Sequence, residues 1–315
     1  MTTNINMIKQ LFKEVLDVKE INNESNFFEE GGDSFDALRL MNSLDKELPI
    51  LTIFENPTPQ KLYDYLKRND NKKAPQLISL KNKDSLVDEG KIAFVGVPFG
   101  GGDPTAYKDM FENDNNIMVY GVNFGDININ EINLELDFKS IINEINSMNN
   151  EKIIIYGHCA GGATATYLTT KLVNKKIYLV IGASNPILDP DKSIEESKIT
   201  SNEEWGGYLR SIGGFDGLND TEIRGMLNRG RRDHIISTEM YRELLESNYE
   251  KPFAKIILGD NDPSIKSIDR ATNDWKNFIE INEESVIKNG GHYFLKTHLS
   301  DVENAIYSYL KMEDN

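Results

Sequence analysis

The sequence predicts two folding units of different class: a small all-α segment over about residues 1–70, a linker over 71–76, and an α/β domain over 77–315. Three observations predict it. Apolar residues in the first 68 positions recur at helical spacing. The polar run Asn69-Asp70-Asn71-Lys72-Lys73-Ala74-Pro75 has nothing to bury and reads as a connection. Beyond it, short β-branched apolar runs alternate with helical patterns, the grammar of a mainly parallel sheet covered on both faces.

In chain order, Ile8, Leu11, Phe12, Val15 and Leu16 define a first helix, and Phe35, Leu38, Met41, Leu44 and Leu48 a second. Pro57-Thr58-Pro59 opens a third, with Thr58 as N-cap, Pro59 in the first turn, and Leu62, Tyr65 and Leu66 on one face. Strands are expected at Leu77–Leu80, Ile92–Val97, Ile117–Val122, Lys152–Tyr156, Ile177–Ile181, Ala254–Leu258 and Ser285–Ile287. Helices are expected around Phe138–Ile145, Ala163–Leu172, Trp275–Ile279 and Val302–Leu310. From about 186 to 249 helix-like segments interrupt the alternation, as a lid inserted over a site would.

Composition excludes several functions. Lys+Arg number 35 against 51 Asp+Glu, a net charge of -16, which repels nucleic acid and anionic membrane surfaces alike. The single cysteine allows no intramolecular disulfide and no cysteine-based zinc site, so no metal is expected, and it suits a reducing cytoplasm. No basic region followed by an apolar stretch opens the chain, and no apolar run approaches a membrane span. A cytoplasmic protein is expected.

That cysteine is the most informative residue. Ile153-Ile154-Ile155-Tyr156-Gly157-His158-Cys159-Ala160-Gly161-Gly162 reads as a buried strand turning sharply into a small-residue helix. It is the G-x-S-x-G nucleophile elbow of α/β-hydrolases with sulfur in place of the serine oxygen. A lone cysteine is most often a buried structural thiol. The strand before it and Ala163-Thr164-Ala165 after it supply the context that makes a nucleophile the better reading.

A thiol nucleophile needs a base, a group that orients the base, and donors for an oxyanion. His292, in Gly290-Gly291-His292-Tyr293 after the last expected strand, is the base. His158 is expected to pack, His234 falls in the lid, and His298 on the final helix. Leu258-Gly259-Asp260-Asn261-Asp262-Pro263 follows a strand, and Asp262 is the chosen acid. Asp260 is instead a candidate turn residue, and Asp189 a weaker acid. Cysteine, aspartate, histidine is the chain order of the hydrolases. The oxyanion donors are expected to be the backbone N–H of Ala160 and one from Pro98-Phe99-Gly100-Gly101-Gly102, with Gly100 chosen. That glycine run fits neither G-x-G-x-x-G nor G-x-x-x-x-G-K, so a nucleotide is not expected.

In the first unit Gly31-Gly32-Asp33-Ser34 runs into the second helix. Its plain reading is a helix cap, with Asp33 or Ser34 as the capping residue. A helix N-terminus is also a seat for a phosphodiester. With Ile53-Phe54-Glu55-Asn56-Pro57-Thr58 ahead of the last helix, residues 5–68 closely resemble the peptidyl carrier domains of nonribosomal peptide synthetases. The resemblance implies 4′-phosphopantetheine on Ser34, placed by a phosphopantetheinyl transferase and carrying an acyl thioester. It also implies upstream condensation and adenylation modules as partners.

Residues 77–315 resemble the type I thioesterase domains of the same synthetases. The matching pieces are Val97–Gly102 with Tyr107, the elbow, Gly259–Pro263, Gly291-His292, and the lid run from Asn202 and Trp205 to Gly213-Gly214. The resemblance implies a terminal carrier–thioesterase pair, in which the acyl chain passes from the Ser34 arm to Cys159 and is then released. Two departures stand out. Most relatives use serine where this chain has Cys159. Many chain-terminating members place the acid where this chain has Ala183-Ser184, whereas the acid here comes one strand later, as in discrete proofreading thioesterases.

Sulfur changes the energetics. Transfer from pantetheine to Cys159 exchanges one thioester for another, so release is expected to use a demanding acceptor: an amine, a ring closure such as a β-lactone, or a second carrier, with water as the simplest case. Other readings are a shuttle that passes the chain to another carrier, a proofreading thioesterase, or a docking module with an idle hydrolase domain. Arg224, Arg229, Arg231 and Arg232 form a basic cluster, either a solvated helix face or a contact for the pantetheine phosphate or the acidic carrier surface.

Overall fold

The computed structural model describes residues 4–44, 48, 50–68, 74–80, 91–173, 175–215 and 220–312. The chain divides into two compact units, Met1–Lys73 with Leu218–Met226, and Ala74–Gly217 with Leu227–Asn315. Residues 71–73 of the expected 71–76 linker lie outside the described residues, and Gln76 already belongs to a strand.

The first unit contains α1 (Ile5–Leu16), α2 (Ser34–Ser43), α3 (Leu51–Glu55) and α4 (Pro59–Arg68). Ile8, Phe12, Phe27, Leu40, Ile53 and Leu62 close its core. Thr58 caps α4 through the Lys61 N–H, as its sequence announces. The five-residue α3 was not expected, because one turn is too short to show a period. Phe35 corrects the reading of α2: it is 52 % exposed. The buried stripe is Ala37, Leu40, Met41 and Leu44, at i, i+3, i+4 and i+7. Phe35, two residues ahead of that stripe, projects from another face.

The second unit is built on seven strands: β1 (Gln76–Ser79), β2 (Ile92–Val97), β3 (Ile117–Asn123), β4 (Lys152–His158), β5 (Ile177–Gly182), β6 (Phe253–Gly259) and β7 (Glu280–Ile287). Their order is β1-β3-β2-β4-β5-β6-β7, with β1 antiparallel to β3 and every other pairing parallel. The helices are α5 (Leu134–Asp137), α6 (Lys139–Ser147), α7 (Gly161–Lys171), α8 (Pro190–Ile199), α9 (Asn202–Ser211), α10 (Asp220–Glu246), α11 (Ile268–Trp275), α12 (Phe294–Thr297) and α13 (Leu299–Met312).

The run Ile153-Ile154-Ile155-Tyr156 shows why a central parallel strand is continuously apolar. Ile153 and Ile155 join one core with α6, α7 and α11. Ile154 and Tyr156 join the opposite core with Tyr107, Phe111 and α13. Helices α8 to α10 fill the interval between β5 and β6 where the inserted lid was expected.

Two boundaries differ from expectation. The helix sought at Trp275–Ile279 ends at Trp275, and a turn follows in which the Phe278 N–H donates to the Trp275 carbonyl at 2.8 Å. Trp275, Phe278 and Ile279 are all buried, so their i, i+3, i+4 spacing mimics a helix without forming one. Strand β7 starts at Glu280 rather than Ser285. Among the described strands it pairs only with β6; Glu280 and Glu284 face solvent and Glu283 pairs with the buried Lys255 at 2.7 Å, so charged residues hide this edge strand from an apolar pattern.

Candidate active site

Three strand ends converge to build the site. The end of β4 turns directly into α7, with Cys159 between them at φ +53, a left-handed conformation that a cysteine adopts only under constraint. The constraint is visible: the Cys159 N–H donates to the Gly182 carbonyl at 2.8 Å, and the Ser184 hydroxyl donates to the Cys159 carbonyl at 2.7 Å. The elbow glycines are required by backbone approach. A Cβ on Gly157 would lie 2.3 Å from the Gly161 carbonyl, and one on Gly161 would lie 2.4 Å from the Val97 carbonyl.

Past β6, Asp262 is buried at 4 % exposure and His292, past β7, at 2 %. His292 Nδ1–H donates to Asp262 Oδ2 at 2.8 Å. The other carboxylate oxygen accepts the Ser264 N–H at 2.8 Å and the Ser264 hydroxyl at 2.7 Å. Burial draws the imidazole pKa down, but the sulfur charge of Cys159 and the bond to Asp262 outweigh it and carry His292 up to about 10. Burial likewise opposes ionisation of Asp262, and the bond to His292 with the Ser264 donors prevails, holding its carboxyl below the usual range. His292 Nε2 is buried without a conventional hydrogen bond, the nitrogen left for the sulfur. Cys159 and His292 both line one cavity of about 440 Å³.

Ala160 and Gly100 line the same cavity. A Cβ on Gly100 would lie 3.7 Å from Cβ of Ala160, so the two expected oxyanion donors are neighbours across the mouth of the elbow. Phe99 and Tyr293, the residues flanking Gly100 and His292, meet edge to face at 4.9 Å between ring centroids. Ile187, Trp205, Tyr208, Leu209, Ile212 and Tyr241 supply much of the remaining wall, most of it from α9 and α10.

The structure separates the other candidates. Asp260 accepts the Asn289 N–H at 2.6 Å and braces a turn. Asp189 caps α8 through the Lys192 N–H. His298 pairs with Thr297 on the surface. His234 lines the cavity and contacts the Ser193 hydroxyl at 3.1 Å. Burial first, then the charge of Arg231, lowers its pKa to about 4. Arg231 donates to the carbonyls of Ser197 and Thr200 and to the Asn202 side chain, so its guanidinium is spent inside the lid and not held out as a solvated face. Side-chain placement of Arg224 lies outside the described residues.

Sequence reasoning placed His158 as packing and missed its connections. Its Nε2 lies 2.7 Å from the His292 carbonyl, which can only accept, so Nε2 carries the hydrogen and Nδ1 accepts the Tyr156 hydroxyl at 3.0 Å. Full burial, then the charge of His292, lowers its pKa to about 3 against the pull of that carbonyl and of Asp262. The folded chain therefore refuses a proton that the unfolded chain binds below about 6.5. Stability is expected to fall as pH drops from 6.5 toward 3, by up to ~1.4 kcal/mol per unit from this residue. His158→Gln keeps a donor and an acceptor without titrating, and should flatten that acid limb in urea unfolding at pH 4.5 and 7.5. An unchanged slope would assign the limb to other groups.

In the first unit Ser34 is exposed at the first position of α2. The Asp33 carboxylate accepts the Phe35 and Asp36 N–H groups at 2.8 and 2.9 Å, and Asp36 returns a bond to the Asp33 N–H. The amides a phosphodiester would use are thus already capped by Asp33. The exposed hydroxyl fits an arm that leaves the helix end for solvent.

Comparisons with known proteins bear on both units. Residues 6–66 match the family described as "Phosphopantetheine attachment site". The cofactor of this domain is 4′-phosphopantetheine, held covalently on a serine. No curated protein matches the chain at the sequence level. Among solved structures, the RedJ thioesterase of the prodiginine pathway of Streptomyces coelicolor is 16 % identical, with a TM-score of 0.55 over 70 % of this chain and 90 % of that one. BorB, a type II thioesterase from the borrelidin biosynthetic cluster, is 18 % identical, with a TM-score of 0.53 over 74 % of this chain and 97 % of that one. MenH from S. aureus is 14 % identical, with a TM-score of 0.52 over 77 % and 99 %. The second unit has the α/β-hydrolase fold of thioesterases and related hydrolases.

Proposed function

We propose that this chain is a carrier–thioesterase pair of a nonribosomal peptide synthetase, in which an acyl chain moves from the phosphopantetheine arm on Ser34 to Cys159. The observation that carries the reading is the pairing, within one chain, of a phosphopantetheine attachment domain with a Cys159–His292–Asp262 alignment at an apolar cavity.

In the proposed step the Cys159 proton already rests on His292 Nε2, and the thiolate attacks the thioester carbonyl. The oxyanion forms against the Ala160 and Gly100 N–H groups. Collapse breaks the carbon–sulfur bond to pantetheine, and the departing sulfur recovers the proton from His292. Asp262 keeps the imidazole in the tautomer that aims Nε2 at sulfur and stabilises the imidazolium. Release then follows by attack of water, an amine or an internal nucleophile on the Cys159 thioester. Residues in the three roles are intact, which weighs against an idle hydrolase domain.

The test is to load Ser34 with an aminoacyl-pantetheine and follow both peptides by mass spectrometry. Acyl mass should leave the Ser34 peptide and arrive on the Cys159 peptide. A label that remains on Ser34, or on a different residue of the first unit, would sink the reading. The same experiment with an added carrier protein separates release from a shuttle: a shuttle delivers the label to that carrier.

A further inference from the structure

Helix α10 bears a buried carboxylate that the triad does not use. Asp233 is 3 % exposed. Its Oδ2 accepts the Gly101 N–H at 2.9 Å, across 132 positions of sequence. Its Oδ1 accepts Arg232 Nε at 3.0 Å and Nη2 at 2.8 Å. Arg232 Nη1 in turn donates to the Gly125 carbonyl at 2.8 Å, in the loop after β3. One turn earlier on α10, a Cβ on Gly230 would touch the Gly100 carbonyl at 3.5 Å, so the helix backbone itself lies against this loop. The inserted helix is fastened to the loops that follow β2 and β3.

The turn it holds needs holding. Gly102 N–H donates to the Phe99 carbonyl at 2.7 Å, and Gly101 sits at φ +78. That is the pattern of a type II turn, in which the central Gly100–Gly101 peptide is turned over relative to type I. With glycine at both central positions neither form is barred by a side chain. A fixed acceptor for the Gly101 N–H selects one of them, and Asp233 is that acceptor.

We propose that Asp233 is a positioning residue for acyl transfer. Gripping the Gly101 N–H from the inserted helix, it anchors the Phe99–Gly102 turn against α10 and so fixes where the Gly100 N–H stands relative to Cys159. The inference rests on the reading of Cys159 as the acyl acceptor. It divides the oxyanion hole between two sources: the Ala160 donor comes with the elbow, whereas the Gly100 donor depends on α10 being seated.

Two reactions of the same sulfur separate this role from a merely structural one. Acyl transfer puts charge on a carbonyl oxygen and needs the hole. Alkylation by iodoacetamide forms a carbon–sulfur bond and expels iodide, and it needs no oxyanion donor. The full chain would be acylated with a hexanoyl N-acetylcysteamine thioester, following Cys159 acylation by mass. Alkylation would be timed in parallel. Asp233→Ala should lower the maximal acylation rate ~10²-fold with little change in the half-saturating concentration. Asp233→Asn, whose amide oxygen still accepts the Gly101 N–H, should recover most of that loss. Alkylation should stay within about 2-fold throughout, because it bypasses the hole. Asp233→Leu fills the same space without an acceptor and serves where alanine does not fold. Unchanged acylation in Asp233→Ala, an equal fall of both rates, or asparagine no better than alanine would overturn the inference. A wild-type chain that is alkylated but never acylated would overturn the functional reading beneath it.

Discussion

Replacing Cys159 with alanine is expected to reduce acyl transfer by ~10⁴-fold or more and to leave the acyl group on the Ser34 arm. Cys159 stands at the elbow and lines the same cavity as His292, whose Nε2 is buried without a conventional hydrogen bond. Cys159→Ser is the more informative partner. It restores a nucleophile but makes the first step a thioester-to-oxoester transfer, downhill where the natural step is nearly balanced. An oxoester intermediate should accumulate, because it resists amines more than a thioester does. Equal product and equal rate in the serine variant would refute the idea that sulfur was chosen for its acceptor. His292 offers an independent readout. Its pKa of about 10 owes much to the sulfur charge, so either substitution should bring its titration down, measurable by NMR of the ring protons. The same shift stabilises the fold: the contribution is complete below about 6.5 and is lost as pH rises toward 10, and Cys159→Ala, which keeps only the Asp262 part, should show a smaller alkaline loss.

The second large effect is expected from Asp262→Asn, ~10²- to 10⁴-fold in the acyl-transfer rate, with Cys159 still present. An amide at this position can turn its NH₂ toward Nδ1, which then accepts and leaves the hydrogen on Nε2, the wrong nitrogen for a base. Asp260→Asn is the control. Asp260 serves the Asn289 N–H and does not touch His292, so its replacement should change the rate only a few-fold. The sequence alone left these two aspartates only two residues apart. If Asp260→Asn proves the more damaging, the acid has been misassigned.

Much of the site was legible because it is local. Strand β4, the elbow and α7 are consecutive, and small residues at 157, 161 and 162 report a backbone crossing that tolerates no Cβ. Ser264 was within reach as well: it follows Asp262 by two residues, the spacing at which an aspartate closes a turn on its own backbone. Phe35, β7 and the turn after Trp275 were misread because burial there is decided by neighbours rather than by period.

The sequence by itself determined that a helical carrier-like unit precedes a parallel α/β domain. It also determined that Cys159, Asp262 and His292 each stand just past the end of a strand. These follow from apolar period and from glycines at positions where sterics permit nothing larger. Only the tertiary structure decided that Asp262 rather than Asp260 meets His292 and that His158 ties the base loop to Tyr156. It alone decided that Asp233 holds the Gly101 amide. Each of these is a contact of under 3.5 Å between residues up to 134 positions apart. Distances of that kind are set by how sheet, helices and loops pack, and no local pattern encodes them.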